Sequence, residues 1–494
     1  MNRVLQPPAF PIRRTAERLR TRPRQGRSGS GSVTNARANV KFDGSRATGR
    51  PLSRLSGRRA RRRGLLIERI GFAVGLLVAL GSPAPAVAQD APPLQRPPPP
   101  AESVTFTGSA RLEYFARDSA IEQLRAAAAG LPAPGGDDSF VAADARIRFD
   151  WRLPGVRFAA EAAVLPYDDG ANRTLGGDTE LILKQVFVDL EGFLSPDLTF
   201  RAGAFDYAWK IRPHGEPFLL DLGRAESFFS GVGDRDLELP GGALLKWRAG
   251  DFVEVEALWM TTIEGGAASA DESLAALLAN FPLSERSAVF LGALHVSGAG
   301  DPKVTTWGGG ADFYFGDERE LEVFGEGWLQ AGRIASGVSR SAWAAHAGVR
   351  GVTGPWRAEA SAAWRSGDDD PTDSRDGTFQ SYEGQERLRI VDSAEFGLDW
   401  DVNLQSVRLS VTRRIGDSAE ARIDAGRFRL DETMAGVDRD LGTEVDLSLT
   451  HEISKSASAW VAIAALLGSD ALESATLDGD SSTYLAAVGV RVLW

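Results

Sequence analysis

The chain has 494 residues, 43% of them hydrophobic, no cysteine and a formal net charge of −11. Without cysteine, neither a disulfide framework nor a thiolate metal site can form. Charge is spread unevenly: the first 88 residues carry 19 Lys+Arg and 3 Asp+Glu, leaving 37 basic against 64 acidic residues for the rest. Such a body does not suit nucleic acid, which requires basic grooves.

The front end reads as an address. "RRARRRGLLIERIGFAVGLLVALGSPAPAVAQD" joins a basic stretch to an apolar core, Ile70–Leu80, and then Ala86-Val87-Ala88 before Gln89. That core suits a secretory signal and is too short for a membrane-spanning helix, which needs about 20 apolar residues. Arg62-Arg63 faintly resembles a twin-arginine signal, but nothing else suggests a cofactor that must be inserted before export. Residues 65–88 are therefore assigned as signal peptide and 1–64 as a basic N-terminal extension. No methionine lies between Met1 and Met260, so a start at an alternative codon near Leu65 is expected. Residues 89–102, with "APPLQRPPPP", form a stiff proline-rich linker.

From Ser103 onward the dominant pattern is alternation with period two. Val104, Phe106, Ala110, Leu112 and Tyr114 alternate with Thr105, Thr107, Ser109, Arg111 and Glu113. In "DARIRFDWRLP" the odd positions Ala145, Ile147, Phe149, Trp151 and Leu153 are apolar, and Asp144, Arg146, Arg148, Asp150 and Arg152 lie between them. A single strand of this kind would fit a soluble sandwich. Repeated ten-residue segments in an exported chain point instead to a transmembrane barrel, with lipid on one face and a wet lumen on the other. Closure also satisfies every backbone group, as lipid demands. Trp151, Trp247 and Trp364 sit near segment ends on the apolar face, where an interfacial girdle is expected. The final "VGVRVLW" aligns Val488, Val490, Val492 and Trp494 on one face, like the assembly signal of an outer-membrane barrel.

Loop lengths fix the strand count. "SADESLAALLANF" first reads as a helix, since Ser269 and Glu272 fit a capping box and Leu274, Leu277, Leu278 and Phe281 fit one face. A strand over Ser273–Phe281 instead restores the alternation of short and long connections along the whole chain. The short, periplasmic turns are then "PG", "FLSPD", "AGD", "PLSE", "GDE", "VTG", "GDS" and "SKS". The extracellular connections are 118–140, 166–178, 210–240, 366–393, 430–441 and 468–483, with shorter links at 263–272, 298–302 and 332–339. The expected fold is all-β: a single antiparallel barrel over 103–494, most consistent with 18 strands. Ser119, Glu122 and Gly130 predict a short helix in the first long connection. "EPFLLDLGRAESFFSGVGD" is apolar enough to predict an inward plug rather than a cover over the rim.

"SGDDDPTDSRDG", Ser366–Gly377, concentrates acid on one connection. Read as an EF-hand with Gly377 at the sixth position, it would need ligands from Thr372 and Ser374, a poor match. It is expected to be an outward loop without a formed metal site.

Several segments resemble the alginate export family of outer-membrane barrels, which are eighteen-stranded. The carriers are "LILKQVFVDLEG" with "LTFRAGAFD", the Glu326, Gln330 and Gly332 spacing of "EVFGEGWLQAG", and "AWAAHAGVRG" leading to "ASAAWRSGDDDPTDSRDGTFQ". The resemblance implies a passive conduit with an arginine-rich constriction for anionic polysaccharide, Arg201 matching its Arg-x-Gly position. Ala204 and Phe205 stand where the family usually has Arg-Gln, and the last periplasmic turn, "SKSA", is short where the alginate exporter itself looks to have a long lid.

Parity places Arg111, Arg146, Arg148, Arg152, Arg157, Arg201, Lys246, Arg357, Arg365, Arg408 and Arg422 in the lumen as pore-lining or solute-binding candidates. Glu113, Asp144, Asp150, Glu161, Asp189, Glu254, Glu256, Glu359, Asp424, Glu444 and Asp446 are interleaved with them. Rings of fixed charge would select solutes by sign; mutual ion pairing would cancel that field. The densest basic run, Arg146 to Arg157, is where solute contact is expected. No GxSxG, GxGxxG or phosphate-binding loop occurs, and the four histidines, His214, His295, His346 and His451, show no ligand spacing. No cofactor, metal or catalysis is therefore expected. The leading expectation is a passive outer-membrane channel for polysaccharide or another polar, anionic solute, in contact with lipid, lipopolysaccharide and the barrel-assembly machinery of a Gram-negative-type cell. The alternatives are a small-solute uptake porin, a structural or adhesive barrel, or an envelope enzyme. The last would need a lipid-facing pair drawing on His346 or His451, taken as the strand histidines with polar neighbours.

Overall fold

In the computed structural model, the described residues are 102–494 apart from 119, 122–137, 167–178, 208, 212–216, 221–240, 264–271, 299–302, 317–319, 371, 382–387, 393–397, 399–401, 434–437, 471–472 and 474–480. The assigned signal peptide and its basic extension fall outside them. Strand residues rich in β-branched and aromatic side chains build β1 (Ser103–Arg117), β2 (Asp138–Leu153), β3 (Val156–Pro166), β4 (Thr179–Glu191), β5 (Leu198–Ala204) and β6 (Gly241–Ala249). There follow β7 (Val253–Ile263), β8 (Glu272–Pro282), β9 (Ala288–Gly298), β10 (Lys303–Phe315), β11 (Glu320–Ala335), β12 (Val338–Thr353) and β13 (Trp356–Arg365). A two-residue strand, β14 (Arg375–Asp376), precedes β15 (Leu404–Ile415), β16 (Ala419–Leu430), β17 (Asp440–Ser454), β18 (Ala457–Leu467) and β19 (Thr483–Leu493).

All of these except β14 pair antiparallel with their chain neighbours, and β1 pairs with both β2 and β19, so eighteen strands close into one barrel. Among the described residues no helix is long and apolar enough to cross a membrane; the crossing is made by strands. Lipid offers no hydrogen-bond partners, and closure pairs the strand edges that would otherwise be orphaned. Alternation sorts the side chains: Val104, Phe106, Leu112, Tyr114, Trp151, Trp247, Trp364, Val488, Val490 and Val492 are exposed on the outward face. This is an outer-membrane-type β-barrel.

The seam is completed by Trp494, whose backbone N–H donates to Gly108 O at 3.1 Å while Gly108 N–H donates to Trp494 O at 2.9 Å. A Cβ on Gly108 would collide with the Trp494 indole. Gly108→Val is therefore expected to lower barrel stability by roughly 1–3 kcal/mol through overpacking. The check is the temperature at which the folded band is lost on a semi-native gel; an unchanged temperature would show that the indole moves aside without cost.

The tight turns occur where loop parity puts them, for example at Pro154-Gly155 and Gly416, the two glycines holding φ of 74° and 62°. The residues of "GDE" after Gly316 lie outside the described set. Ser273–Phe281 lies within a strand, so the capping-box signal at Ser269 loses to the demands of closure. One expectation is corrected. The link 332–339 is not a loop, because β11 and β12 extend and meet at Ser336-Gly337, where Gly337 takes φ 82°. Within the first long connection, Ala120 N–H donates to Asp118 Oδ1 at 2.9 Å; the rest of the helix expected there is outside the described residues.

Candidate functional site

All eleven basic candidates fall on inward-facing positions, Arg152 and Arg357 near the short-turn end where they are exposed. They do not stand alone. Arg148 pairs with Asp150 at 2.7 Å and with Glu161 at 3.3 Å, and Arg157 with Asp150 at 2.5 Å and Asp189 at 3.6 Å. Arg201 holds Asp189 with two hydrogen bonds, 2.6 and 3.0 Å. Arg146 meets Asp144 at 3.1 Å, Arg111 meets Glu113 at 3.4 Å, and Lys246 bridges Glu254 and Glu256 at 2.7 and 2.6 Å. The guanidinium groups of Arg201, Arg157 and Arg148 also lie over the Phe187 ring, 4.1, 5.7 and 5.8 Å from its centre. The basic run is thus an ion-paired ladder along the wall of β2 to β7.

The ladder is layered. The Arg201 side chain is 23% exposed against 6% for Asp189, Arg148 27% against 11% for Asp150, and Lys246 34% against 5% for Glu256. Carboxylates are shorter, so they sit against the wall while the long basic side chains fold over them and present their ends to the lumen. The basic ends are thus the more exposed layer of the ladder. Arg248, paired with Glu254 at 2.8 Å, and Arg350, paired with Glu322 at 2.9 Å and Glu359 at 2.8 Å, belong to the same pattern. Parity would have found both, since Arg248 lies two residues beyond Lys246 on the same face.

Two segments fold into the barrel. The first continues from β5: Phe205, Tyr207, Trp209 and Ile211, then Phe218, Leu219 and Leu220, are all buried. They pack on inward-facing Leu244, Leu258, Met260, Leu274, Leu278, Phe290, Leu294 and Trp328. Trp209 stands edge-on to Phe290 at 5.5 Å and to Trp328 at 6.3 Å. Polar contacts fix its path. Tyr207 Oη donates to Glu256 Oε2 at 2.5 Å, and Leu219 N–H donates to Glu326 Oε1 at 3.1 Å. Burial, reinforced by the neighbouring Glu256 charge, pushes the Tyr207 phenol well above its ordinary range, so it remains a donor. Of the apolar stretch expected to plug the lumen only residues 217–220 are described, and there Phe218, Leu219 and Leu220 are buried; the rest of that stretch lies outside the described residues.

The second insert lies in the connection from β13 to β15, assigned in part to an outward loop over 366–393; that assignment is corrected for residues 388–392. Ile390 and Val391 donate their backbone N–H groups to the two oxygens of Glu444 at 2.6 and 2.9 Å, and Arg389 N–H donates to Asp446 Oδ2 at 3.0 Å. Leu388, Ile390, Val391 and Leu398 join a buried cluster with Phe115, Phe428, Leu430, Leu466 and Leu485. Burial draws the Arg389 guanidinium below its usual range, with Asp446 opposing the shift. Arg408 links the two inserts: it grips Asp392 at 2.5 and 3.0 Å and lies 5.2 Å over the Phe218 ring. Arg365 lies over the same ring at 5.3 Å. Arg365 and Arg408 are therefore buried anchors of the inserts rather than an open solute surface.

The acidic stretch also turns back on the barrel. Arg340 holds Asp376 at 2.5 Å, Ser366 Oγ donates to Gly377 O at 2.7 Å, and Gln330 brackets the backbone of Gln380 at 2.7 and 3.0 Å. Its aspartates cap local turns. Asp370 accepts from Thr372 N–H and Oγ1 and is held below the usual carboxylate range by those bonds, whereas burial raises Asp368. Among the described residues no group of acids or histidines is arranged to hold a metal ion. His346 faces inward, stacked 4.0 Å from Phe218 and 3.5 Å from Glu326, while His451 is exposed on the outward face. His295 is also a strand histidine with a polar neighbour, Thr305 at 3.0 Å, which corrects the pairing of His346 and His451.

No protein-family model matches the chain, and no curated protein sequence matches it. The resemblance to the alginate export family therefore has no support beyond the segments that carry it. The fold, in contrast, has solved neighbours. The chain is similar to the outer membrane protein OpdK from Pseudomonas aeruginosa, with a TM-score of 0.53 and 11% identity over 79% of this chain and 99% of that one. OccAB1 of Acinetobacter baumannii gives 0.53 and 13% over 79% and 96%, and OpdK with vanillate 0.52 and 11% over 79% and 98%. At such identity these likenesses establish the fold.

Proposed function

We propose that the barrel is a passive outer-membrane channel for small polar solutes that carry a negative group. The observation that carries this reading is the layering of the ladder, with basic ends over buried acids along one wall. Guanidinium groups recognise carboxylates and similar anions through paired hydrogen bonds, and a low-dielectric wall focuses the field of the outer layer. The two inserts favour a small solute over a polymer, because they occupy lumen that a polysaccharide conduit of the alginate-export type would need open. A neighbour of this fold solved with vanillate is in keeping with a solute of that size.

Planar-bilayer recording in a salt gradient tests the reading. The reversal potential is expected to show anion preference. Asp189→Asn, which removes the acid beneath Arg201 and Arg157, should increase that preference roughly severalfold, and Arg201→Ala should reduce it by a similar factor. Cation preference in the unaltered channel would overturn the proposal.

A further inference from the structure

Three successive inward residues of β8, Leu274, Ala276 and Leu278, are apolar and belong to the cluster that the first insert completes. Alternation makes Asn280 the next inward residue, and it is 2% exposed. Its Oδ1 and Nδ2 are both buried, and neither has a hydrogen-bond partner. Among the described residues no other side chain carries two buried polar atoms in that condition. The polar groups around it are answered: Glu256 receives Tyr207 Oη and Lys246 Nζ, and Glu326 receives Leu219 N–H and Trp328 Nε1. Asn280 is the exception in this part of the lumen.

Register shows what lies beside it. Asn280 stands opposite Glu254 on β7 and Phe290 on β9. Glu254 is the acid under Lys246 and Arg248, at 2.7 and 2.8 Å, so Asn280 borders the end of the basic ladder. The first insert crosses the adjoining inward row of Glu256, Leu278 and Gly292. Tyr207 bonds Glu256 there, and a Cβ on Gly292 would meet Leu278 at 3.0 Å and the Trp209 indole at 3.3 Å. Trp209 also stands edge-on to Phe290 in the Asn280 row. A buried amide without partners forfeits the hydrogen bonds it makes in water. That cost could be relieved by parting the wall or by lifting the insert. Parting the wall breaks the backbone ladders on both sides of β8, whereas the insert is held by side-chain packing and a few hydrogen bonds. The insert is the element that yields.

We propose that the first insert is a displaceable gate and that Asn280 sets its balance. Seating the insert buries the amide unpaired; lifting it returns the amide to the aqueous lumen and uncovers the ladder's end at Lys246 and Glu254. The seated and lifted states are thereby brought closer in free energy than the aromatic packing alone would leave them, as a switching element requires. Leucine has the branching of asparagine without its polar atoms and would continue the apolar face of β8, locking the insert down. The inference rests on the reading of the lumen as a solute path.

The test is hydrogen exchange on the full barrel in detergent, with single-channel recording of the same protein in a bilayer. In the unaltered barrel the amides of 205–211 are expected to exchange well ahead of those in β7 and β8. Asn280→Leu should slow exchange at 205–211 about tenfold and reduce the occupancy of the wider conductance level by a similar factor. Asn280→Val carries the same expectation and replaces that variant if it does not fold. Exchange at 205–211 as slow as in β8 would overturn the proposal, as would a leucine variant in which both readouts are unchanged or increased. Exchange is read without any solute. Cation preference in the bilayer would therefore remove the channel reading and leave the gate to stand or fall on these rates.

Discussion

Glu444→Ala is expected to release the turn at 388–392 and raise the single-channel conductance severalfold. Both Glu444 oxygens accept backbone N–H groups, from Ile390 and Val391, and the residue is fully buried. A hydrogen bond contributes about 0.5–1.5 kcal/mol net, and leaving a buried N–H unpaired costs about 1–3 kcal/mol. The lost contacts therefore rival the stability of a short insert, while the barrel wall keeps its ladder of backbone bonds. Glu444→Gln retains one acceptor oxygen and aims an amide N–H at the other donor, so it should fall between the two. Bilayer recording checks the conductance, and hydrogen exchange at 388–392 checks the cause. Unchanged conductance in Glu444→Ala, with exchange still slow, would mean that the apolar cluster holds the turn without the clamp.

Trp209→Ala should have the second large effect. The indole is 2% exposed and fills the space between Phe290, Trp328 and the inward side of Gly292. Truncating a buried tryptophan costs about 3–5 kcal/mol, and the loss falls on the insert rather than on the strand ladders. A wider or noisier channel with a normal folded band on a semi-native gel is the expected result. Loss of the folded band would instead make the first insert part of the barrel's own core. The insert also accounts for a departure from simple alternation. Leu244, Leu258, Leu274 and Leu278 are apolar yet face inward, which is sensible only if that side of the lumen is filled.

The amino-acid sequence by itself determined the barrel, its eighteen strands and the inward parity of Arg111, Arg146, Arg148, Arg201 and Lys246. Alternation and loop length are local properties, and closure in lipid admits few ways to combine them. It could not show whether those cations were compensated. Pairing depends on cross-strand register, as with Arg201 and Asp189, and on how long and short side chains layer over one another. Nor could parity tell lumen that meets water from lumen that meets an insert. The meeting of Ile390 with Glu444, 54 residues apart in sequence, and of Phe218 with Arg408 arises only once the wall has closed around both segments. The same holds for Asn280, legible in isolation as one polar residue on the inward face of β8. Only the packing around it, with Phe290 beside it and Trp209 against Phe290, takes it out of water, because burial in a lumen is set by what folds across it and not by the residue's own neighbours.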